Sequence, residues 1–158
     1  MMKSGLKGKL AVDTSALIEL IYCEKPALKF KKALENDLVE AWTTELAIAE
    51  LRYVLCRKLG WQESEERVNN LLASGYIKVE DTLKLINQAA KTKCRRAISL
   101  PDCFTLALAH HIAGNALFAK PEEDLTKEMR KEPFEVKILF LSEVNAQKTT
   151  NAERSGES

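Results

Sequence analysis

The stretch KLAVDTSALIEL, residues 9–20, joins a short apolar run to a pattern typical of an amphipathic helix. Residues 9–12 read as a buried strand, and Thr14 or Ser15 is able to cap the helix that follows. Asp13 occupies the junction between the two. Aspartate is a favoured N-cap residue, so capping alone explains its presence as well as a binding role does.

The bulk properties of the chain indicate one globular domain. Its 158 residues are 46% hydrophobic, enough for a single core without disulfides or structural metal. The net charge of +1 means that a nucleic-acid partner would be held by a local basic patch. The 4 cysteines are irregularly spaced and predict free thiols in a reducing cytosol. With no apolar run long enough for a membrane span, the expected location is cytoplasmic, with no membrane partner.

Short apolar runs alternate with helical patterns along the chain. This alternation predicts a three-layer α/β/α fold with a mainly parallel central sheet, in which ligands bind outside the carboxyl ends of the strands. The predicted strands are 9–12, 39–44, 76–81, 116–119 and 135–141. The predicted helices are 14–23, 26–38, 45–60, 62–75, 82–97, 99–115 and 122–132.

The predicted domain spans residues 9–144, after an N-terminal extension at 1–8. Residues 145–158 contain no apolar residue except alanine. Such a segment buries too little surface to offset the entropy of ordering, so we expect a disordered tail.

Four carboxylates stand at or near the predicted carboxyl ends of the strands. Asp13 follows the first strand, and Glu50 borders the apolar stripe of the helix after the second. Asp102 has capping-box spacing from Ser99, and Glu122 opens a charged run after the fourth strand. Each has an ordinary explanation, as a cap or as part of a solvated face. As a set, they indicate a site for a cation.

Several carboxylates in one crevice repel each other unless cations neutralise them, and oxygen ligands suit Mg²⁺ or Mn²⁺. Magnesium is commonly held by one or two protein carboxylates together with waters and substrate phosphate oxygens. The pattern therefore favours hydrolysis of a phosphate ester by a metal-activated water, with no serine or cysteine nucleophile.

The segments AVDTSALIEL, TTELAIAELRYVL and SLPDCFTLALAHHIAGNALFAKPEEDL, in this order, strongly resemble the PIN-domain family. Within that family they are similar to the VapC-like toxin ribonucleases and their archaeal relatives, over about residues 9 to 141. The resemblance implies a PIN-like fold and Mg²⁺- or Mn²⁺-dependent hydrolysis of RNA that leaves a 5′-phosphate and a 3′-hydroxyl. It also implies a homodimer and, for a toxin, a VapB-like antitoxin as partner.

The resemblance also suggests roles for individual residues. Asp13, Glu50 and Asp102 match the family's acids on the first strand, the long helix and the late helix. Thr14 or Ser15 matches the hydroxyl positions beside the first acid, with Ser15 expected nearer to the metal or its waters.

The fourth acidic position departs from the family pattern. The family has a Thr-x-Asp-like sequence after the fourth strand, whereas this chain reads FAKPEEDL. Glu122 is then the aligned acid, and Lys120 replaces the hydroxyl residue. Because glutamate is one methylene longer, the second metal position is in question. A catalytically weak or inactive PIN module that binds RNA or a protein is the alternative function.

The cluster formed by Lys91, Lys93, Arg95 and Arg96 is a candidate RNA-phosphate contact, although a solvated basic helix face is the more ordinary reading. A phosphatase of the haloacid-dehalogenase type also begins with an aspartate after the first strand. It needs a second acid two residues later, where this chain has Ser15, so that reading is poor.

Overall fold

A five-stranded parallel sheet forms the centre of the computed structural model, which describes residues 5–144. The strand order is β3-β2-β1-β4-β5, and each paired strand runs parallel to its neighbour. The strands are β1 (Gly8–Val12), β2 (Val39–Thr44), β3 (Ile77–Glu80), β4 (Asn115–Phe118) and β5 (Ile138–Phe140). The predicted parallel α/β fold is confirmed, while the tail predicted at 145–158 lies outside the described residues.

Helices connect the strands and cover both faces of the sheet. The α-helices are α1 (Thr14–Ile21), α2 (Leu28–Glu35), α3 (Glu45–Leu59), α4 (Trp61–Ala73), α5 (Ile86–Arg95), α6 (Leu100–His111) and α7 (Glu123–Lys131). The single helices predicted at 26–38 and 82–97 are each wrong in one respect, because each begins with a separate 3₁₀ turn, at Lys25–Ala27 and Thr82–Leu85. Pro26 opens the first turn, and the Asp81 side chain caps the second.

Two apolar clusters lie on opposite faces of the sheet, because successive strand side chains point to opposite sides. On β1, Leu10 and Val12 join the cluster beneath α1 to α4, while Ala11 joins the one beneath α5 to α7. On β4, Leu117 and Phe118 divide in the same way. The sheet is therefore the middle of three layers, as the sequence pattern predicts.

The central position of β1 sets the location of Asp13. Val12 pairs in register with Leu117 of β4, and the backbone N–H of Asp13 donates to the Leu117 carbonyl at 2.9 Å. From the other side, the Thr43 hydroxyl of β2 donates to the Val12 carbonyl at 2.8 Å. The end of β1 is thereby held between the ends of its two neighbours.

The turn between α6 and β4 packs tightly against β1. A Cβ atom on Gly114 would lie 2.8 Å from the carbonyl carbon of Lys9, too close for any side chain. The preceding residue, Ala113, has a left-handed φ of 52°. This turn permits β4 to pair closely with β1.

The last strand is shorter than the predicted 135–141. Phe134, just ahead of the predicted segment, lies against the guanidinium group of Arg96, 3.8 Å from the ring centre. The pairing with β4 then begins at Ile138. None of the helices within residues 5–144 combines the length and the apolar character needed to cross a membrane.

Candidate active site

Asp13 is almost fully buried at the end of β1, with 7% of its surface exposed. Its Oδ2 atom accepts hydrogen bonds from the backbone N–H of Ser15 at 3.0 Å and from the Ser15 hydroxyl at 2.7 Å. Its Oδ1 atom faces the Thr105 hydroxyl at 3.4 Å. Asp13 therefore caps α1, as an aspartate at this junction can, and also contacts a helix from the opposite layer.

Glu50 reaches the same end of the sheet from α3. Its Oε1 atom accepts a hydrogen bond from the Thr14 hydroxyl at 3.1 Å. Burial raises the pKa of Glu50, the hydrogen bond from Thr14 lowers it, and the negative charges of Asp13 and Glu122 raise it further. The net shift is upward, as for a carboxylate that lies partly out of water among other acids.

Asp102 lies in the first turn of α6, which Ser99 caps. The Ser99 side chain accepts the backbone N–H of Asp102 at 3.2 Å, as the capping-box spacing predicts. Burial raises the pKa of Asp102 to about 7, with further increases from the charges of Asp13, Glu122 and Glu50. The Ser99 side chain opposes the rise. Acids far apart in the sequence thus act on one another electrostatically.

Glu122 occupies the N-cap position of α7, and among the described residues its side chain makes no capping hydrogen bond. It is exposed, unlike the other three acids, yet its charge acts on both Glu50 and Asp102. Just before it, Ala119 donates its backbone N–H to the Ser15 hydroxyl at 3.1 Å. The Ser15 hydroxyl therefore joins the end of β4 to Asp13. We refer to Asp13, Glu50, Asp102 and Glu122 as the four-acid cluster.

The sequence of residues 10–122 matches the family model described as PIN domain. This match spans more than half of the chain and includes every member of the four-acid cluster. The chain belongs to the PIN-domain family. PIN domains are generally nucleases, and they generally use divalent metals.

A solved structure has a similar fold. It is a chain of a "Toxin-antitoxin complex from Klebsiella pneumoniae", with a TM-score of 0.58 and 17% sequence identity. The alignment covers 84% of this chain and 97% of that one. At this identity the likeness concerns the fold alone. None of the curated proteins matches the chain.

The donor set of the PIN-domain cluster consists of carboxylate oxygens with neighbouring hydroxyls, which suits a hard divalent cation. Within residues 5–144, no group of three or more His, Cys, Asp or Glu side chains is arranged to hold a metal ion by itself. Magnesium does not need such a cage, because it commonly retains waters beside one or two carboxylates. The residues present therefore fit the ion that the family uses.

The basic residues predicted to contact RNA have different surroundings. Arg96 is largely buried, stacks on Phe134 and lies 3.9 Å from Glu128. Lys93 is exposed and donates to the Ile98 carbonyl at 2.7 Å. Lys91 and Arg95 are exposed and line an open cavity of about 420 Å³ beside α5 and α6.

Thr105 is a site residue that the sequence reading missed. It lies three residues after Asp102 on α6, and its hydroxyl also donates to the Pro101 carbonyl at 3.3 Å. The available signal was a hydroxyl near Asp102 in an otherwise apolar helix, on the side that Asp102 occupies. A threonine that bonds its own helix backbone looks ordinary in sequence, so the contact with Asp13 could not be anticipated.

Proposed function

We propose that this PIN domain is a metal-dependent endoribonuclease of the VapC-like type, hydrolysing RNA phosphodiester bonds. The observation that carries the proposal is that four acids come together near the carboxyl ends of parallel strands, where the charges of Asp13 and Glu122 act on both Glu50 and Asp102. Burial combined with like charges raises the pKa of Glu50 and of Asp102. A protein that maintains such repulsion bears a free-energy cost that a cation would remove.

In this proposal Mg²⁺ or Mn²⁺ is held directly by one or two carboxylates of the set Asp13, Glu50 and Asp102, with waters completing its coordination and Glu122 on the exposed side. A bound ion of this kind supplies an activated water and stabilises the leaving oxygen in phosphodiester hydrolysis. Because Glu122 is solvent-exposed, a contact through water suits it better than a direct one.

The hydroxyl groups around the acids fix their orientation. The Ser15 hydroxyl donates a hydrogen bond to Oδ2 of Asp13, and the Thr105 hydroxyl lies near Oδ1. Thr14 holds Oε1 of Glu50 and also donates to the Ala47 carbonyl at 3.3 Å. The carboxylates are thus positioned before substrate arrives, which reduces the reorganisation needed in the transition state.

RNA is the proposed substrate, held partly by the basic residues of α5. Lys91 and Arg95 are the better candidates for phosphate contacts because both are exposed. Lys93 and Arg96 contribute positive charge nearby, although Arg96 already pairs with acids of the protein. Alanine substitution of Lys91 and Arg95 together should weaken RNA binding and reduce its dependence on salt.

The proposed partners are a VapB-like antitoxin and a second copy of the chain, in the cytoplasm. The similar fold of a chain from a toxin-antitoxin complex supports the antitoxin. An apolar cavity of about 350 Å³ between α1, α2 and α4 offers a place for its apolar side chains; Leu20, Ile21, Leu34 and Leu71 are among the lining residues. Co-expression with a small DNA-binding protein from a neighbouring gene tests the pairing, and light scattering tests the homodimer.

A cleavage assay with an Asp13→Asn control tests the enzymatic function. Asparagine caps a helix about as well as aspartate, so the variant should fold. We expect the parent chain to cut labelled single-stranded RNA with Mn²⁺ and not with EDTA, and Asp13→Asn to lose at least about a hundredfold in rate. RNA binding without metal-dependent cutting by the parent would favour the alternative, a PIN module that binds without catalysis.

A further inference from the structure

Lys120 stands beside the four-acid cluster, in the segment that follows β4. The N–H of its neighbour Ala119 donates to the Ser15 hydroxyl, which in turn contacts Asp13. The Ala119 carbonyl accepts the N–H of Ser142 at 3.0 Å. The backbone that carries the lysine is therefore anchored on both sides, close to the central carboxylate, while the side chain itself is exposed.

Glu19 has an unusual environment on the same side of α1 as Ser15, from which it is four residues apart. Within residues 5–144, its Oε2 atom is buried and has no hydrogen-bond partner. Burial raises the pKa of Glu19, the negative charge of Glu24 adds to the rise, and the positive charge of Lys120 opposes it. Because the Ser15 hydroxyl contacts Ala119 and Ser15 lies on the same side of α1 as Glu19, the backbone of Lys120 is close to the part of α1 that carries Glu19.

Glu19 and Lys120 do not form a contact ion pair within residues 5–144, so their charges interact over a longer distance. Among the described residues, Lys120 makes no ion pair at contact distance, with Glu19 or with any other acid. An ammonium group on a flexible stem can reach toward Glu19 or away from it, toward the acids that follow in the chain.

An approaching RNA strand meets a concentration of negative charge at the four-acid cluster. A cation at the rim of the cluster would offset this repulsion at a phosphate that lies outside the metal site. Lys120 lies two residues before Glu122, its side chain is exposed, and within residues 5–144 it forms no ion pair.

Resting on the proposed ribonuclease function, we infer that Lys120 binds a phosphate of the RNA at the rim of the four-acid cluster, and that Glu19 attracts its ammonium group when no RNA is bound. Lys120 is then a substrate-binding residue, and Glu19 is a positioning residue that acts through it. The segment between β4 and α7 thereby contributes to RNA binding.

Binding measurements in a chain that does not cut its substrate test the lysine. In the Asp13→Asn background with Mg²⁺, the affinity for a fluorescent single-stranded RNA is measured by anisotropy over a range of KCl concentrations. Loss of one charged phosphate contact in Lys120→Gln should weaken binding about tenfold and reduce the slope of log K against log salt by about 0.7. Lys120→Arg should keep the slope.

The matched control is Lys127→Gln, which removes the same charge from an exposed lysine of α7. It should change neither the affinity nor the slope. Equal effects of Lys120→Gln and Lys127→Gln would overturn the proposed contact. If the two variants have equal effects but the chain with Asp13 intact cuts RNA, the role of Lys120 is wrong and the proposed ribonuclease function stands. If the chain with Asp13 intact binds no RNA, both the phosphate contact and the proposed function are wrong.

Glu19 is tested by a double-mutant cycle. Glu19→Gln should tighten RNA binding when Lys120 is present, because the ammonium loses its alternative partner, and should have no effect in the Lys120→Gln background. An equal effect in both backgrounds would show that Glu19 acts independently of the lysine and would overturn its positioning role.

Discussion

The hydroxyl of Thr105 lies 3.4 Å from Oδ1 of Asp13, although 92 residues separate the two in the chain. The contact connects α6 with the end of β1 across the boundary between two layers of the fold. Asp102 lies three residues before Thr105, so the two side chains are on the same face of α6. The helix whose hydroxyl contacts Asp13 thus also carries an acid whose pKa is raised by the charge of Asp13.

Replacing Thr105 by valine should impair cleavage more than stability. Valine keeps the shape but removes the donor near Asp13, so we expect a loss of about 1 kcal/mol in the free energy of unfolding and about a tenfold loss in cleavage rate. Urea titration and RNA cleavage measure the two effects. Thr92→Val is the control, because Thr92 also donates to the carbonyl four residues earlier, but on α5. Similar losses of activity in both variants would contradict the role assigned to Thr105.

In the metal-free protein, Asp102 should contribute a loss of stability as the pH rises from about 3.8 to about 7. Asp102 keeps its proton in the folded state over this window, whereas the unfolded chain has released it. The unfolded state therefore binds fewer protons, and the free energy of unfolding falls with increasing pH.

Asp102→Asn should remove this pH-dependent loss. We expect the variant to be more stable than the parent by on the order of 2 kcal/mol near pH 8 in EDTA, with little difference near pH 3.5. Chemical unfolding at both pH values measures the effect. A variant that is equally destabilised at both would indicate that Asp102 has a purely structural role.

Divalent metal should raise the melting temperature of the parent chain, because an ion that binds only the folded state stabilises it by mass action. The increase with Mn²⁺ should be larger near pH 8 than near pH 6, since the carboxyl groups must lose their protons to bind metal. Asp13→Asn and Asp102→Asn should show a much smaller increase. If Mn²⁺ raised the melting temperature equally in all three chains, the ion would bind outside the four-acid cluster.

The turn between α6 and β4 allows a test with two adjacent and opposite substitutions. Gly114→Ala brings a methyl group against the Lys9 carbonyl and should cost about 1–3 kcal/mol of stability. Ala113→Gly relieves a left-handed φ of 52° and should stabilise the protein by about 1 kcal/mol. Thermal melts measure both. If both substitutions lower the melting temperature equally, the close contact between residue 114 and the Lys9 carbonyl does not determine which residues this turn accepts.

The sheet and the approximate positions of the acids could be predicted because they depend on local patterns. Apolar runs gave the strands, and Asp13 and Asp102 could be placed at helix starts by capping chemistry alone. The parallel arrangement followed from the alternation of strands and helices, and it brings the carboxyl ends together at one edge. Glu50 stood out because it borders an apolar helix face.

Contacts between distant segments could not be predicted in this way. The inward position of Arg96 depends on Phe134 and Glu128, which lie on a different part of the chain. The unpaired oxygen of Glu19 and the proximity of Lys120 appear only after α1 has packed beside β4. No periodicity in a single sequence encodes these distances, since they result from how the layers pack.

The central place of β1 in the strand order has a consequence for protein synthesis. Asp13 is translated first, but its neighbour β4 and the acid beyond it emerge from the ribosome only after more than a hundred further residues. A nascent polypeptide shorter than this cannot assemble the four carboxylates, whatever ions are present. The candidate site therefore cannot form until nearly the entire domain has been produced.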